Sequence, residues 1–117
     1  MSVAFLMKDD AGVIQLWTVS PNGGTPIQRT ANAHDIDSTF TWSNDGKRIA
    51  HIMDNSVCVT DAATGRTTRL TARTDDAIAP RPEACVFSPN GDYIAFVRRL
   101  TENGQASNHI CIVSLQQ

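Results

Sequence analysis

Long hydrophobic runs are missing from this chain of 117 residues. The apolar stretch Val3-Ala4-Phe5-Leu6-Met7 near its start is too short for the apolar region of a secretory signal, and far shorter than the roughly 20 residues of a membrane span. As it stands the sequence carries no export signal, so a cytoplasmic location is expected, or a periplasmic one if the chain is part of an exported protein. No membrane insertion is expected. An excess of positive charge is missing too: ten Lys and Arg stand against twelve Asp and Glu, a formal net charge of -2. A nucleic-acid partner calls for a basic footprint, so none is expected. Cysteine is scarce. Cys58, Cys85 and Cys111 are odd in number and form no C-x-x-C pair, which argues against a disulfide framework and a zinc site. Reduced thiols buried in strands are expected instead. No G-x-S-x-G elbow occurs. No helix follows Gly23-Gly24 to receive a phosphate. No apolar period of 3.6 residues is present, and the stretch from 72 to 84, with its two prolines, reads as loop.

What the chain does contain is a repeat. Ser43-Asn44-Asp45-Gly46-Lys47-Arg48-Ile49-Ala50 and Ser88-Pro89-Asn90-Gly91-Asp92-Tyr93-Ile94-Ala95 stand 45 residues apart. Each is a turn followed by a strand, because Asp-Gly and Asn-Gly supply the left-handed backbone of a tight hairpin. An aromatic, Trp42 or Phe87, precedes each turn. The strands after the turns, Ile49–Ile52 and Ile94–Val97, have a third copy in Val3–Leu6. Another strand follows each: 16–20, 57–61 and 110–114, all short and β-branched. An outer, more polar strand occurs twice, at 24–30 and 65–71, and Pro26 suits such an edge because it cannot donate to a central ladder. With strands lettered A to D from the inside outward, the chain reads B-C-D, A-B-C-D, A-B-C. The predicted fold is all-β: about 2.5 to 3 four-stranded antiparallel blades in an incomplete ring. The units are a partial first blade at 1–30, a second at 31–71 and a partial third at 72–117.

At Phe87-Ser88-Pro89-Asn90-Gly91, Ile94-Ala95-Phe96, Asp61, Gly65 and Leu70-Thr71 the chain resembles the TolB-type, WD-like β-propeller repeat. The resemblance covers essentially the whole chain. It implies a propeller fold but no single activity, since such repeats occur in periplasmic translocation proteins, in oligogalacturonate lyase-like proteins and in prolyl-oligopeptidase-like enzymes. Those proteins carry six or more blades. If about 500 Å² of apolar surface were left bare on each terminal blade, the lost stabilisation would be about 12 kcal/mol per face. A homo-oligomer, or the remainder of a longer propeller, is therefore expected to cover these faces.

Propeller sites lie where outer strands connect to the next inner strand. In the first such loop His34, Asp35 and Asp37 form a His/carboxylate cluster of the kind that binds a cation or moves protons. In the second, Asp75, Asp76, Arg81 and Glu83 have the charges to hold a polar ligand or compensate one another. Ligand binding by His34, Asp35, Asp37, Arg81 and Glu83 is the expectation, with no catalytic residue, no metal ligand and no cofactor. His51 occupies the position of Phe5 and Phe96 and reads as a buried packing histidine; the stretch 101–108 reads as a loop, and His109, which follows it, reads as a loop residue. The function expected is a non-enzymatic binding or scaffolding module for a protein or polar ligand. The alternative is a piece of a propeller enzyme of the lyase-like or peptidase-like kind.

Overall fold

A computed structural model describes residues 2–81 and 85–115. Three antiparallel sheets follow one another along the chain. The first contains β1 (Val3–Lys8), β2 (Ile14–Val19) and β3 (Ile27–Gln28). The middle one contains β4 (Ile36–Trp42), β5 (Arg48–Met53), β6 (Ser56–Asp61) and β7 (Thr67–Arg69). The last contains β8 (Cys85–Phe87), β9 (Tyr93–Glu102) and β10 (Gln105–Ser114). Each sheet is a meander in chain order. Among the described residues only the middle one has four strands, and the three do not close into a ring.

The repeated turn owes its sequence to a local hydrogen-bond network that occurs twice. In the first copy Ser43 Oγ donates to Asp45 Oδ1 at 2.6 Å, Lys47 N donates to the same oxygen, and Arg48 N donates to Ser43 Oγ at 3.1 Å. In the second, Ser88 Oγ donates to Asn90 Oδ1 at 2.7 Å, and Asp92 N and Tyr93 N donate to Asn90 and Ser88 in the same way. Gly46 and Gly91, at φ 71° and 80°, then turn the chain in the left-handed region that glycine enters without strain. The two turns also touch: Asn44 Nδ2 donates to Pro89 O at 3.0 Å, and Arg48 Nη2 to Gly91 O at 3.1 Å.

Two apolar layers hold the sheets together. Ala4, Leu6 and Leu16 of the first sheet pack against Ile36, Ile49, Met53 and Cys58 of the middle one. The opposite face of the middle sheet, Ala50, Ile52, Val57 and Val59, packs against Cys85, Ile94 and Phe96 of the last. Alternation along each strand puts successive side chains on opposite faces, so β5 serves both layers. Each fully buried Ile or Phe here contributes about 1.5–3 kcal/mol relative to exposure.

Two segments differ from the sequence reading. The stretch 101–108, read as loop, continues a ten-residue hairpin, with Glu102 paired to Gln105. Its turn is Asn103-Gly104, both at positive φ, the strongest short-range hairpin signal. His109 consequently sits within β10 rather than in a loop. Within the loop between the last two sheets, Asp76–Ile78 forms a single 3-10 turn.

Candidate functional site

In an up-and-down sheet the β5–β6 turn and the loops joining one sheet to the next share one end of the molecule. The β5–β6 connection is the two-residue turn Asp54-Asn55, with φ of 50° and 57°. Asp and Asn tolerate this conformation better than other non-glycine residues. It projects both side chains among the two inter-sheet loops.

Asp54 binds the loops together. Its Oδ1 accepts from Arg73 Nε at 2.9 Å and its Oδ2 from Arg69 Nη2 at 3.1 Å; His34 Nε2 lies 3.6 Å from Oδ2. The bond from Arg73, with that from Arg69 and the charge of His34, holds the carboxyl below its usual pKa. Asn55 reaches the other way. Its Nδ2 donates to Asp76 Oδ1 at 2.7 Å and to Thr74 O at 3.0 Å.

Beside this hub, between the middle and last sheets, lies a cleft of about 290 Å³. Its charged lining is Asp37 from β4, Asp76 from the 3-10 turn, Arg81 from the following loop and Arg99 from β9. Asn55, Ala77, Ala79 and Pro80 complete the wall. The β4–β5 ladder slips register between Asp37 and Thr41, a bulge of the kind that re-aims side chains next to sites. Partial burial, and then the charge of Asp35, raise the Asp37 carboxyl above its usual pKa. Arg81 and Arg99 are exposed, and neither forms a salt bridge among the described residues. A larger cleft of about 430 Å³ at the opposite end includes Arg29, Lys47 and Asp61. There Asp61 is already engaged by the backbone amides of Ala63 and Thr64.

The structure brings Asp37 and Arg81 into one cleft and sends His34 and Asp35 elsewhere. His34 turns to Asp54. Asp35 Oδ1 accepts from Ile14 N at 2.8 Å and fastens the first sheet to the loop. Glu83 lies outside the described residues. Among the described residues no three His, Cys, Asp or Glu side chains are grouped to hold a metal. Asp54, Asn55 and Arg99 escaped the sequence reading. The dipeptide Asp54-Asn55 between two strands was the available signal for the first two; Arg99 had none.

His51 is fully buried. Its Nε2 lies 2.7 Å from Thr60 Oγ1, itself 2.8 Å from Thr67 Oγ1, while Nδ1 makes no good hydrogen bond. Burial pushes its pKa down to about 4, against a weaker opposing pull from the Ile52 backbone. Cys58 and Cys85 are buried and reduced, as expected, and Cys111 is half-buried.

No protein-family model matches the chain. A relative in Escherichia coli K12, the uncharacterized protein YidR, is 41% identical over 103 residues; these cover 88% of this chain and 23% of YidR. Thus the chain spans less than a quarter of that relative's length. Among solved structures, the tricorn protease superposes with a TM-score of 0.75 at 19% identity, over 98% of this chain and 11% of that one. TolB from Acinetobacter baumannii superposes with a TM-score of 0.67 at 21% identity, over 98% of this chain and 28% of that one. No helix among the described residues is long and apolar enough to cross a membrane. Three meandering sheets stacked face to face, with the chain order and turns described above, are the fold of a partial β-propeller similar to that of TolB.

Proposed function

We propose that this chain is a binding module whose ligand enters the cleft between the middle and last sheets. The observation that supports this reading is the meeting of Asp37, Asn55, Asp76, Arg81 and Arg99, drawn from four separate segments, at the loop end of the sheet pair. Loops on a fixed strand frame are where such folds carry recognition. Two guanidinium groups and two carboxylates lining one cleft match a polar ligand of both charges, such as a peptide with alternating acidic and basic side chains. Arg supplies planar, paired donors to a carboxylate, and Asp37 and Asp76 accept from an ammonium group. Among the described residues that line the cleft there is no nucleophile–base pair, and the module is read as a non-enzymatic one.

The test is calorimetric titration with three hexapeptides: alternating Glu-Lys, all Glu and all Lys. The alternating peptide is expected to bind best, with affinity falling as salt rises. Asp37→Asn combined with Arg81→Ala is expected to weaken it at least tenfold. Equal binding of all three peptides, no binding of any, or an unaltered affinity in the double variant would each refute the reading.

A further inference from the structure

The two outermost sheet faces of the chain are largely apolar and partly exposed, and the repeat makes them counterparts. On the last sheet Ala95, Val97, Ile110 and Ile112 share one face: the ladder pairs Ile110 with Val97 and Ile112 with Ala95. Ile110 and Ile112 are 79% and 69% exposed, and Val86 and Tyr93 add to the same face at 51% and 47%. The middle sheet carries the same pattern one repeat earlier. There Val57 pairs with Ile52 and Val59 with Ala50. Those four residues are buried, covered by Ile94 and Phe96 of the next sheet.

The covering face also recurs. Ile94 pairs with Val113 and Phe96 with Cys111. In the first sheet Val3 pairs with Val19 and Phe5 with Trp17, at the equivalent positions. Val3 is 48% exposed and Met7, on the same face, 43%. One end of the chain is therefore built like a face that this fold covers, and the other like the face that covers it. The middle sheet stands between them, so they cannot meet within one chain.

We propose that the Val3/Phe5/Trp17 face of one copy docks on the Ala95/Ile110/Ile112 face of a second copy, repeating the packing between the middle and last sheets. The contact is head to tail, and it closes a ring only if the rotation per copy allows it. Propellers typically have about 4 to 8 blades. Two copies of three sheets fall within that range and three copies fall outside it, so the assembly is a dimer with two equivalent seams. This proposal stands independently of the ligand cleft.

The experiment is sedimentation equilibrium on the 117-residue chain at micromolar concentration, with circular dichroism to confirm the fold. The expected mass is twice the 12.7 kDa of one chain. Val3→Arg and Ile112→Arg each place a charge in both seams from an exposed position, and each variant is expected to keep its strand spectrum and fall to one-chain mass. An equimolar mixture of the two variants contains one undamaged pair of faces, and the two-chain mass is expected to return. A one-chain mass for the unaltered protein overturns the proposal, as it assigns these faces to blades of a longer polypeptide. A two-chain mass for either variant alone, or a mixture that stays at one-chain mass, overturns the head-to-tail pairing.

Discussion

Acidifying the protein from pH 7.5 to pH 5 tests the burial of His51 directly. An unfolded histidine titrates near 6.5, whereas His51 in the folded chain titrates near 4. Between these values the unfolded state binds more protons than the folded state, so stability falls as pH falls. The contribution is fully present above about pH 6.5 and lost progressively down to about pH 4. Each unit is worth about 1.36 kcal/mol, so the loss at pH 5 is about 2 kcal/mol and the full loss about 3 kcal/mol. A small domain has about 5–15 kcal/mol in total, so the effect is large enough to measure. Urea titrations followed by tryptophan fluorescence at pH 7.5, 6 and 5 supply the stabilities. His51→Phe is the control, because the repeat places Phe5 and Phe96 at the equivalent positions. Its absolute stability will change, since Thr60 loses a partner. What matters is its slope with pH, which is expected to be shallower by about 2 kcal/mol over this interval. Asp37, whose pKa is raised by burial, acts in the opposite direction and is present in both proteins. Parallel pH profiles for the two proteins would refute the argument.

Three further outcomes are expected. Gly65 sits at φ 76°, and a Cβ there would fall on the backbone carbonyl of Arg29; Gly65→Ala is expected to cost more than about 2 kcal/mol in a denaturant titration. Burial pushes the Cys58 thiol up to about 11 and the Cys85 thiol up to about 12, so a thiol-disulfide reagent at pH 8 is expected to label Cys111 alone in the native protein and all three cysteines in denaturant. The Asp54 carboxyl, held low by Arg73 and Arg69, stabilises the fold above the usual carboxylate pKa and loses that effect as pH falls through its depressed value. Asp54→Asn is expected to lower hydrogen-exchange protection severalfold in residues 72–81 at neutral pH, and the difference from the unaltered protein is expected to vanish in strong acid.

The strand frame was legible because its cause is local. Ser88, Asn90 and Gly91 sustain their turn with bonds spanning at most five residues, and Ser43, Asp45 and Gly46 do the same. A short pattern therefore suffices to reveal it. The long β9–β10 hairpin was hidden because Thr101, Glu102, Gln105, Ser107 and Asn108 have loop composition; Asn103-Gly104 was the overlooked clue. The cleft was less legible. Asp37 and Arg81 stand out only as charges in loops, and their meeting with Arg99 depends on how the last sheet lies against the middle one. His34 and Asp35, neighbours in sequence, part company because one side chain satisfies Asp54 and the other caps the Ile14 amide.

The two seams between sheets are built from different materials. The seam between the middle and last sheets is lined by Ala50, Ile52, Val57, Ile94 and Phe96. The one between the first and middle sheets also carries a polar thread, in which Gln15 Nε2 donates to Asn32 O and Asn32 Nδ2 to Thr67 Oγ1, with Thr60 and His51 next in line. Hydrocarbon accepts any neighbour of suitable volume, whereas a donor left without its acceptor is penalised by about 1–3 kcal/mol. The interior of the apolar seam therefore supplies adhesion with little identity, its polar bonds from Asn44 and Arg48 lying at the turns, and the polar seam supplies identity along its length. A foreign blade of the same repeat docked against β5 and β6 on the His51 side would leave the Asn32 backbone N–H and carbonyl without their partners unless it brought its own Gln15. Shuffling blades between related proteins should consequently succeed at the apolar seam and fail at the polar one.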